Sequence, residues 1–143
     1  MIEKIKALCI KYREIIIYVI VGGITTLINW GSYYLLSLVL DSNVEWQLAL
    51  NNTISWVVAV VAAYPMNRKW VFQSTNPNIF KEFLGFTASR VSTWIIELVL
   101  MWLTVNMLKI NQFVAKYLIV SVVVIILNYV FSKLLVFKKK KEE

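Results

Sequence analysis

Hydrophobic residues fall into four blocks along this chain, about 15–40, 48–66, 83–105 and 113–132, separated by short polar runs. Each block is long enough to cross a hydrocarbon core ~30 Å thick, which takes about 20 helical residues. In lipid the backbone must satisfy its own hydrogen bonds, so the pattern predicts four transmembrane helices and an all-α membrane protein. Ahead of them, Met1 to Arg13 places Ile2, Ile5, Leu8 and Tyr12 on one helical face, with Lys4, Lys11 and Arg13 elsewhere. That spacing predicts an interfacial helix over 1–13 that anchors rather than catalyses. The apolar run of the first block exceeds that of a signal peptide and no small-residue cleavage motif follows it, so the block reads as retained.

Composition agrees with this reading. The chain has 143 residues, 59% of them hydrophobic, and a mean hydropathy of +0.69. A soluble domain this small could not hide so much apolar surface. Charge adds an orientation. Twelve of the fifteen Lys and Arg fall on one side: Lys4, Lys6, Lys11 and Arg13; Arg68, Lys69 and Lys81; Lys133 and Lys138, Lys139, Lys140 and Lys141. The other side holds Lys109 with Asp41 and Glu45. The positive-inside rule then puts the N- and C-termini in the cytoplasm. A pI of 9.6 would suit nucleic acid in a soluble chain, but topology and anionic headgroups account for the charge here, and no nucleic-acid partner is expected. One cysteine, Cys9, and no histidine exclude an internal disulfide and leave no material for a zinc or other soft-metal site. Cys9 itself reads as a small apolar residue near the membrane surface.

The two halves of the chain match at an offset of 65 residues. Asn67-Arg68-Lys69-Trp70-Val71-Phe72 aligns with Ser132-Lys133-Leu134-Leu135-Val136-Phe137, and Tyr64, Gln47, Leu35 and Tyr18 align with Tyr129, Gln112, Leu100 and Phe83. The shared basic-x-x-Val-Phe ending is the strongest of these. Each half carries two spans and enters from the same side, so the prediction is two parallel helical-hairpin repeats, 15–72 and 80–137, unlike the inverted repeats of many transporters. Gln73 to Asn78, with Pro77, reads as a turn-rich cytoplasmic loop between them.

Three ionisable residues, Arg90, Glu97 and Lys116, interrupt the apolar blocks. A charge near the bilayer centre costs roughly 2.5–3.5 kcal/mol on insertion scales, so each needs a partner or a task. Phe86, Arg90, Thr93, Glu97 and Thr104 share one face of the third segment. Arg90 and Glu97 stand about 10 Å apart along the axis, too far for a direct pair. Helical depth predicts an outer pair of Glu97 with Lys116, and an inner site of Arg90 with Asn128 that could hold a phosphate through the guanidinium fork. Lys116 and Asn128 nevertheless differ by about 120° around an α-helix. The first segment presents Gly22, Thr26, Asn29, Tyr33 and Ser37, and the second Asn52, Ser55, Ala59 and Ala62. Gly22, Ser55, Ala59 and Ala62 read as packing surfaces. Asn29 and Asn52 stand equally for packing hydrogen bonds or substrate contact, with Asn51 beside them. Arg68 and Lys69 are orientation signals that could also collect phosphate. Pro65 reads as the end of the second helix. Trp46 and Trp70 suit interfacial belts.

With Val21-Gly22-Gly23, Asn29, the Asn67 to Phe72 ending, Arg90, Glu97, Ala115-Lys116, Asn128 and Val136-Phe137, the chain resembles the GtrA-like family of small four-helix membrane proteins over about 18–137. It departs where Leu135 stands in place of tryptophan. The resemblance implies a place in the bacterial cytoplasmic membrane and a role in cell-surface polysaccharide or teichoic acid glycosylation. In that role it would move a polyprenyl-phosphate-linked sugar between leaflets for use by a membrane glycosyltransferase. On that reading Arg90, Glu97, Lys116, Asn128, Asn29, Asn52 and Arg68 are the substrate-binding candidates, with membrane lipids around them. Four helices are few to enclose a sugar, which favours a homodimer. Two other readings remain: a non-transporting partner of a glycosyltransferase, and a proton-coupled exporter of small cations like the small multidrug resistance family. Against the exporter, Arg90, Glu97 and Lys116 sum to a positive charge. No enzyme and no cofactor are expected: one intramembrane carboxylate is poor catalytic material, and Gly22-Gly23 lacks the rest of a P-loop.

Overall fold

In the computed structural model, residues 1–138 are described; Lys139, Lys140 and Lys141, counted above for orientation, lie outside the described residues. The chain is all helical there: α1 (Ile2–Lys11), α2 (Arg13–Ser37), α3 (Glu45–Val71), α4 (Ile79–Met107) and α5 (Gln112–Val136). The last four are long and apolar enough to cross a membrane. Residues 1–73 form one compact unit, with α2 packed on α3, and residues from 74 onward form another, with α4 packed on α5.

The spans outrun their apolar blocks, and the reason is local. At the end of α3 the chain passes through Pro65 and changes at Asn67 from α to π geometry, closing with the Phe72 N–H donated to the Asn67 carbonyl at 2.9 Å. Arg68 and Lys69 therefore sit on a helical turn rather than on a flanking loop, and Pro65 does not end the helix as expected. Sixty-five residues later α5 does the same at Ser132, closing with Phe137 N–H to Ser132 O at 2.8 Å. Residue 130 is a valine, so proline is not what makes the turn. Each closing phenylalanine is buried against an aromatic of its partner helix: Phe72 on Tyr18 at 6.3 Å between ring centroids, Phe137 on Phe86 at 5.9 Å. Two further π stretches end α4 (Leu103–Met107) and lie within α5 (Ala115–Val120).

Packing within the first unit follows one ridge. Asn51, Ser55, Ala59, Ala63 and Asn67 recur every four residues on α3 and are all buried. Small residues at that spacing let a second helix approach closely. The facing surface of α2 is Tyr18 and Val21, both buried, followed by the half-buried Thr25 and Ile28. Two expectations change here. Asn51 and Ala63 hold the inward positions assigned to Asn52 and Ala62, because the ridge steps by four throughout and the expected stripe mixed steps of three and four. Gly22 is not a packing surface within the unit: a Cβ built there meets nothing within 4 Å, and the same holds for Gly23.

The connections are built from short polar side chains. Between α2 and α3, the backbone and side-chain amides of Asn43 each donate to Asp41 Oδ1 at 2.9 Å, which holds that carboxyl below the usual carboxylate range. Ahead of α4, Asn78 Oδ1 caps the helix by accepting from Lys81 N–H at 3.0 Å. Gln73 and Lys109 take left-handed backbone conformations (φ 48° and 53°) just past the ends of α3 and α4, where such a residue lets the chain reverse. Helix α1 buries none of its residues and is separated from α2 by Tyr12 alone.

Replacing Gly22 or Gly23 by alanine should therefore raise stability by about 0.5–1 kcal/mol, the ordinary helix preference for alanine. Asn78→Ala should lower it by about 1 kcal/mol through loss of the cap. Thermal unfolding in a mild detergent reads both, and a fall with Gly22→Ala would show that this face is packed.

Candidate functional site

One face of α4 carries, in order, Phe86, Arg90, Thr93 and Glu97, and each meets a counterpart. The Arg90 guanidinium lies over the Phe86 ring, 4.6 Å from its centroid, an attractive arrangement for a cation. Thr93 Oγ1 lies 2.7 Å from Asn128 Oδ1 on α5, to which it donates, and 3.0 Å from the Arg90 carbonyl. Glu97 forms an ion pair with Lys116 of α5. The Glu97 side chain is 23% exposed and that of Lys116 44%, so both heads are partly withdrawn from the surface. Phe86 and Thr93 are buried, and Arg90 and Asn128 are half-buried. The stripe from Phe86 to Glu97 extends for about 16 Å of helix axis, roughly half the hydrocarbon core.

The predicted Glu97–Lys116 pairing is present. The predicted inner site is altered: Asn128 accepts from Thr93, one turn along α4 from Arg90, and not from Arg90 itself. The angular obstacle between Lys116 and Asn128 is removed by the backbone. Ala115–Val120 is π-helical, and there the Ser121 hydroxyl donates to the Lys116 carbonyl, five residues back, at 2.6 Å. Each π residue turns the chain through roughly 85° instead of 100°, so six of them absorb about 90° of the 120° offset and bring both side chains to the α4 side.

The same positions in the first unit, 65 residues earlier, hold smaller or neutral residues. Thr25 stands for Arg90, Ile28 for Thr93, Ser32 for Glu97, Asn51 for Lys116 and Ala63 for Asn128. Asn51 ties α3 to α2 by donating to the Tyr33 carbonyl at 3.2 Å, while its Oδ1 accepts from Ser55 at 3.2 Å. Both units thus join their helices at one register position, by a carboxamide in the first and an ion pair in the second.

Other candidates are not brought to this stripe. Asn52 is exposed and bonds back to its own helix at the Leu48 carbonyl, 3.0 Å away, so its assignment as an inward polar group is corrected. Asn29 is half-buried on α2, in the other unit. Arg68 is half-buried on the π turn of α3, with Nη1 3.5 Å from the Tyr64 hydroxyl. Two buried polar residues went unnoticed in the sequence. Glu82, in the first turn of α4, is 3% exposed and accepts from Ser74 Oγ at 2.5 Å; a carboxylate at the edge of an apolar block looks like a flank. Thr93 looked like part of a stripe, and nothing local marked it as the partner of Asn128, 35 residues away.

Comparison with known proteins matches residues 17–137 to the GtrA/DPMS transmembrane domain family. A cell wall teichoic acid glycosylation protein, GtcA, of Listeria monocytogenes serovar 1/2a is 38% identical over 98% of this chain and 95% of its own. Its namesake in Listeria innocua serovar 6a is 40% identical over 90% of this chain and 88% of its own. An uncharacterised membrane protein of Bacillus subtilis is 37% identical over 88% and 98%. No solved structure matches.

The Glu97–Lys116 pair predicts non-additive mutants. A lone intramembrane charge is worth roughly 2.5–3.5 kcal/mol, so Glu97→Gln and Lys116→Met singly should each destabilise by up to that amount. The double variant should lose less than the sum, because no charge is left alone. Thr93→Val, which keeps shape but removes the donor to Asn128, should cost about 0.6 kcal/mol. Unfolding in detergent or bicelles checks all four proteins; additive losses would mean that the ion pair does not couple the helices.

Proposed function

We propose a function that starts from one fact: this chain belongs to the GtrA/DPMS transmembrane domain family. Its relatives named for teichoic acid glycosylation cover nearly its whole length, so we assign this multi-pass membrane protein to that process in the cytoplasmic membrane. Its task there is to carry the head of a polyprenyl-phosphate-linked sugar between leaflets, while the prenyl chain stays in lipid. The two hairpins act as parallel repeats with both termini in the cytoplasm, and a membrane glycosyltransferase uses the sugar outside.

The observation that carries this reading is the α4–α5 stripe. A guanidinium, a hydroxyl–carboxamide pair and an ion pair are aligned through roughly half the membrane depth. A sugar-phosphate head crossing hydrocarbon needs hydrogen-bonding groups at successive depths, because an unsatisfied polar group there costs several kcal/mol. Arg90 offers a planar fork matched to phosphate oxygens, and Thr93 and Asn128 offer the neutral donors and acceptors that hydroxyls require. The stripe holds nothing suited to bond-breaking, since the carboxylate of Glu97 is committed to Lys116. That commitment also argues against a cation exporter, whose acid must alternate between proton and cargo. A partner that positions a glycosyltransferase without transport is the second reading, favoured by the chain's small size.

Purified protein in vesicles loaded with a polyprenyl-phosphate-linked sugar tests the assignment. Wild type should expose the sugar on the far leaflet at least about tenfold faster than empty vesicles, and Arg90→Gln should remove about 1.4 kcal/mol or more of that advantage. If wild type matches empty vesicles, transport is refuted and the partner reading takes its place. For topology, a cysteine at Asn43 in a Cys9→Ser background should react with an impermeant thiol reagent on intact cells, and one at Thr75 only after lysis.

A further inference from the structure

A groove of about 420 Å³ lies within the first unit, between the start of α2 and the π turn ending α3, far along the chain from the α4–α5 stripe. Its polar lining is Arg13, Lys69 and Gln73, and the remaining walls are apolar. With its carboxamide oxygen turned to Arg13, Gln73 accepts from Nη1 and Nη2 at 3.2 and 3.3 Å, which leaves its NH2 as a further donor. No acid lines the groove, and among the described residues neither Arg13 nor Lys69 forms an ion pair. Beyond this cationic end, Ile17, Ile20 and Ile24 stand at i, i+3 and i+7 on one face of α2, with Trp70 of the π turn beside them. They make a trough about 10 Å long.

We propose that this groove binds an anionic phospholipid of the surrounding leaflet, with its phosphate between Arg13 and Lys69 and one acyl chain along the isoleucines. Charge complementarity commits the site to an anion, and the aliphatic trough commits it to a lipid rather than free phosphate. The groove has no hydroxyl or acceptor array that would recognise a sugar, so a bulk lipid fits it better than a glycosylated carrier. Trp70, 47% exposed, suits the headgroup level. The bound lipid bridges the first turn of α2 to the last turn of α3, where both ends of the hairpin carry positive charge. The proposal is independent of the transport reading.

Native mass spectrometry of the full chain in detergent, with phosphatidylglycerol, phosphatidylcholine and an unglycosylated polyprenyl phosphate as probes, tests it. Phosphatidylglycerol should bind in preference to phosphatidylcholine. Each cation near the surface contributes enough that Arg13→Gln with Lys69→Gln should weaken that lipid roughly 30-fold and leave phosphatidylcholine unchanged. The charge-preserving pair Arg13→Lys and Lys69→Arg should keep the preference, and Ile20→Trp, which fills the trough, should abolish binding of the intact lipid. Equal retention of the two phospholipids, an unaltered preference in the double glutamine variant, or displacement by equimolar polyprenyl phosphate would each overturn the proposal. If the glutamine variant fails to fold, wild type decides: adducts that persist unweakened from about 0.05 to about 0.5 M salt would overturn it, since a phosphate held by two exposed cations is screened over that range.

Discussion

A polar side chain placed in hydrocarbon must find its partner on its own helix or on the helix packed against it, and this requirement organises both hairpins. Thr25, Asn52 and Thr104 answer it locally, by bonding to carbonyls a turn back. Asn51, Thr93 and Glu97 answer it across the hairpin, and these cross-links set the register of α3 on α2 and of α5 on α4. Hydrophobic burial could not set that register, because lipid tails are as apolar as a neighbouring helix. The buried oxygens of Asn67 (Oδ1), Thr87 (Oγ1) and Ser132 (Oγ) have no hydrogen-bond partner among the described residues. Asn67 and Ser132 are 65 residues apart, and each opens a π turn.

Both hairpins use one plan with different residues. A four-residue ridge, Asn51 to Asn67 in α3, corresponds to Lys116, Val120, Val124, Asn128 and Ser132 in α5, and each ridge ends on a π turn closed by a buried phenylalanine. In the first hairpin the ridge is small and mostly neutral, so it serves packing. In the second the same places carry a lysine and an asparagine facing an acid and a threonine. The difference between a scaffold and a polar path is therefore a handful of side chains on a shared backbone, and the stripe can be altered without redesigning the fold.

Charge is distributed with the same economy. The pair of Glu97 with Lys116 keeps two charges at membrane depth without leaving either alone. Arg90 is shielded on one side by the Phe86 ring, which Phe137 backs in turn. The cations at the hairpin ends, Arg13 and Lys69, lie instead beside an apolar groove. The cationic surface thus has two settings, one within the spans and one at their ends, and different ligands are expected at each.

The four spans, the all-helical class, the Glu97–Lys116 pair and the polar face of α4 were legible in the sequence, because hydrophobic block length and 3.6-residue periodicity are properties of a single helix. Tertiary structure decided what depends on two helices or on departure from ideal geometry. It turned Asn51 inward in place of Asn52, left Gly22 uncovered, carried α3 through Pro65, and gave Asn128 to Thr93. It also placed Lys116 and Asn128 on one side of α5 by means of six π residues. Side-chain spacing assumes a constant turn per residue, and only the folded backbone reveals where that turn changes.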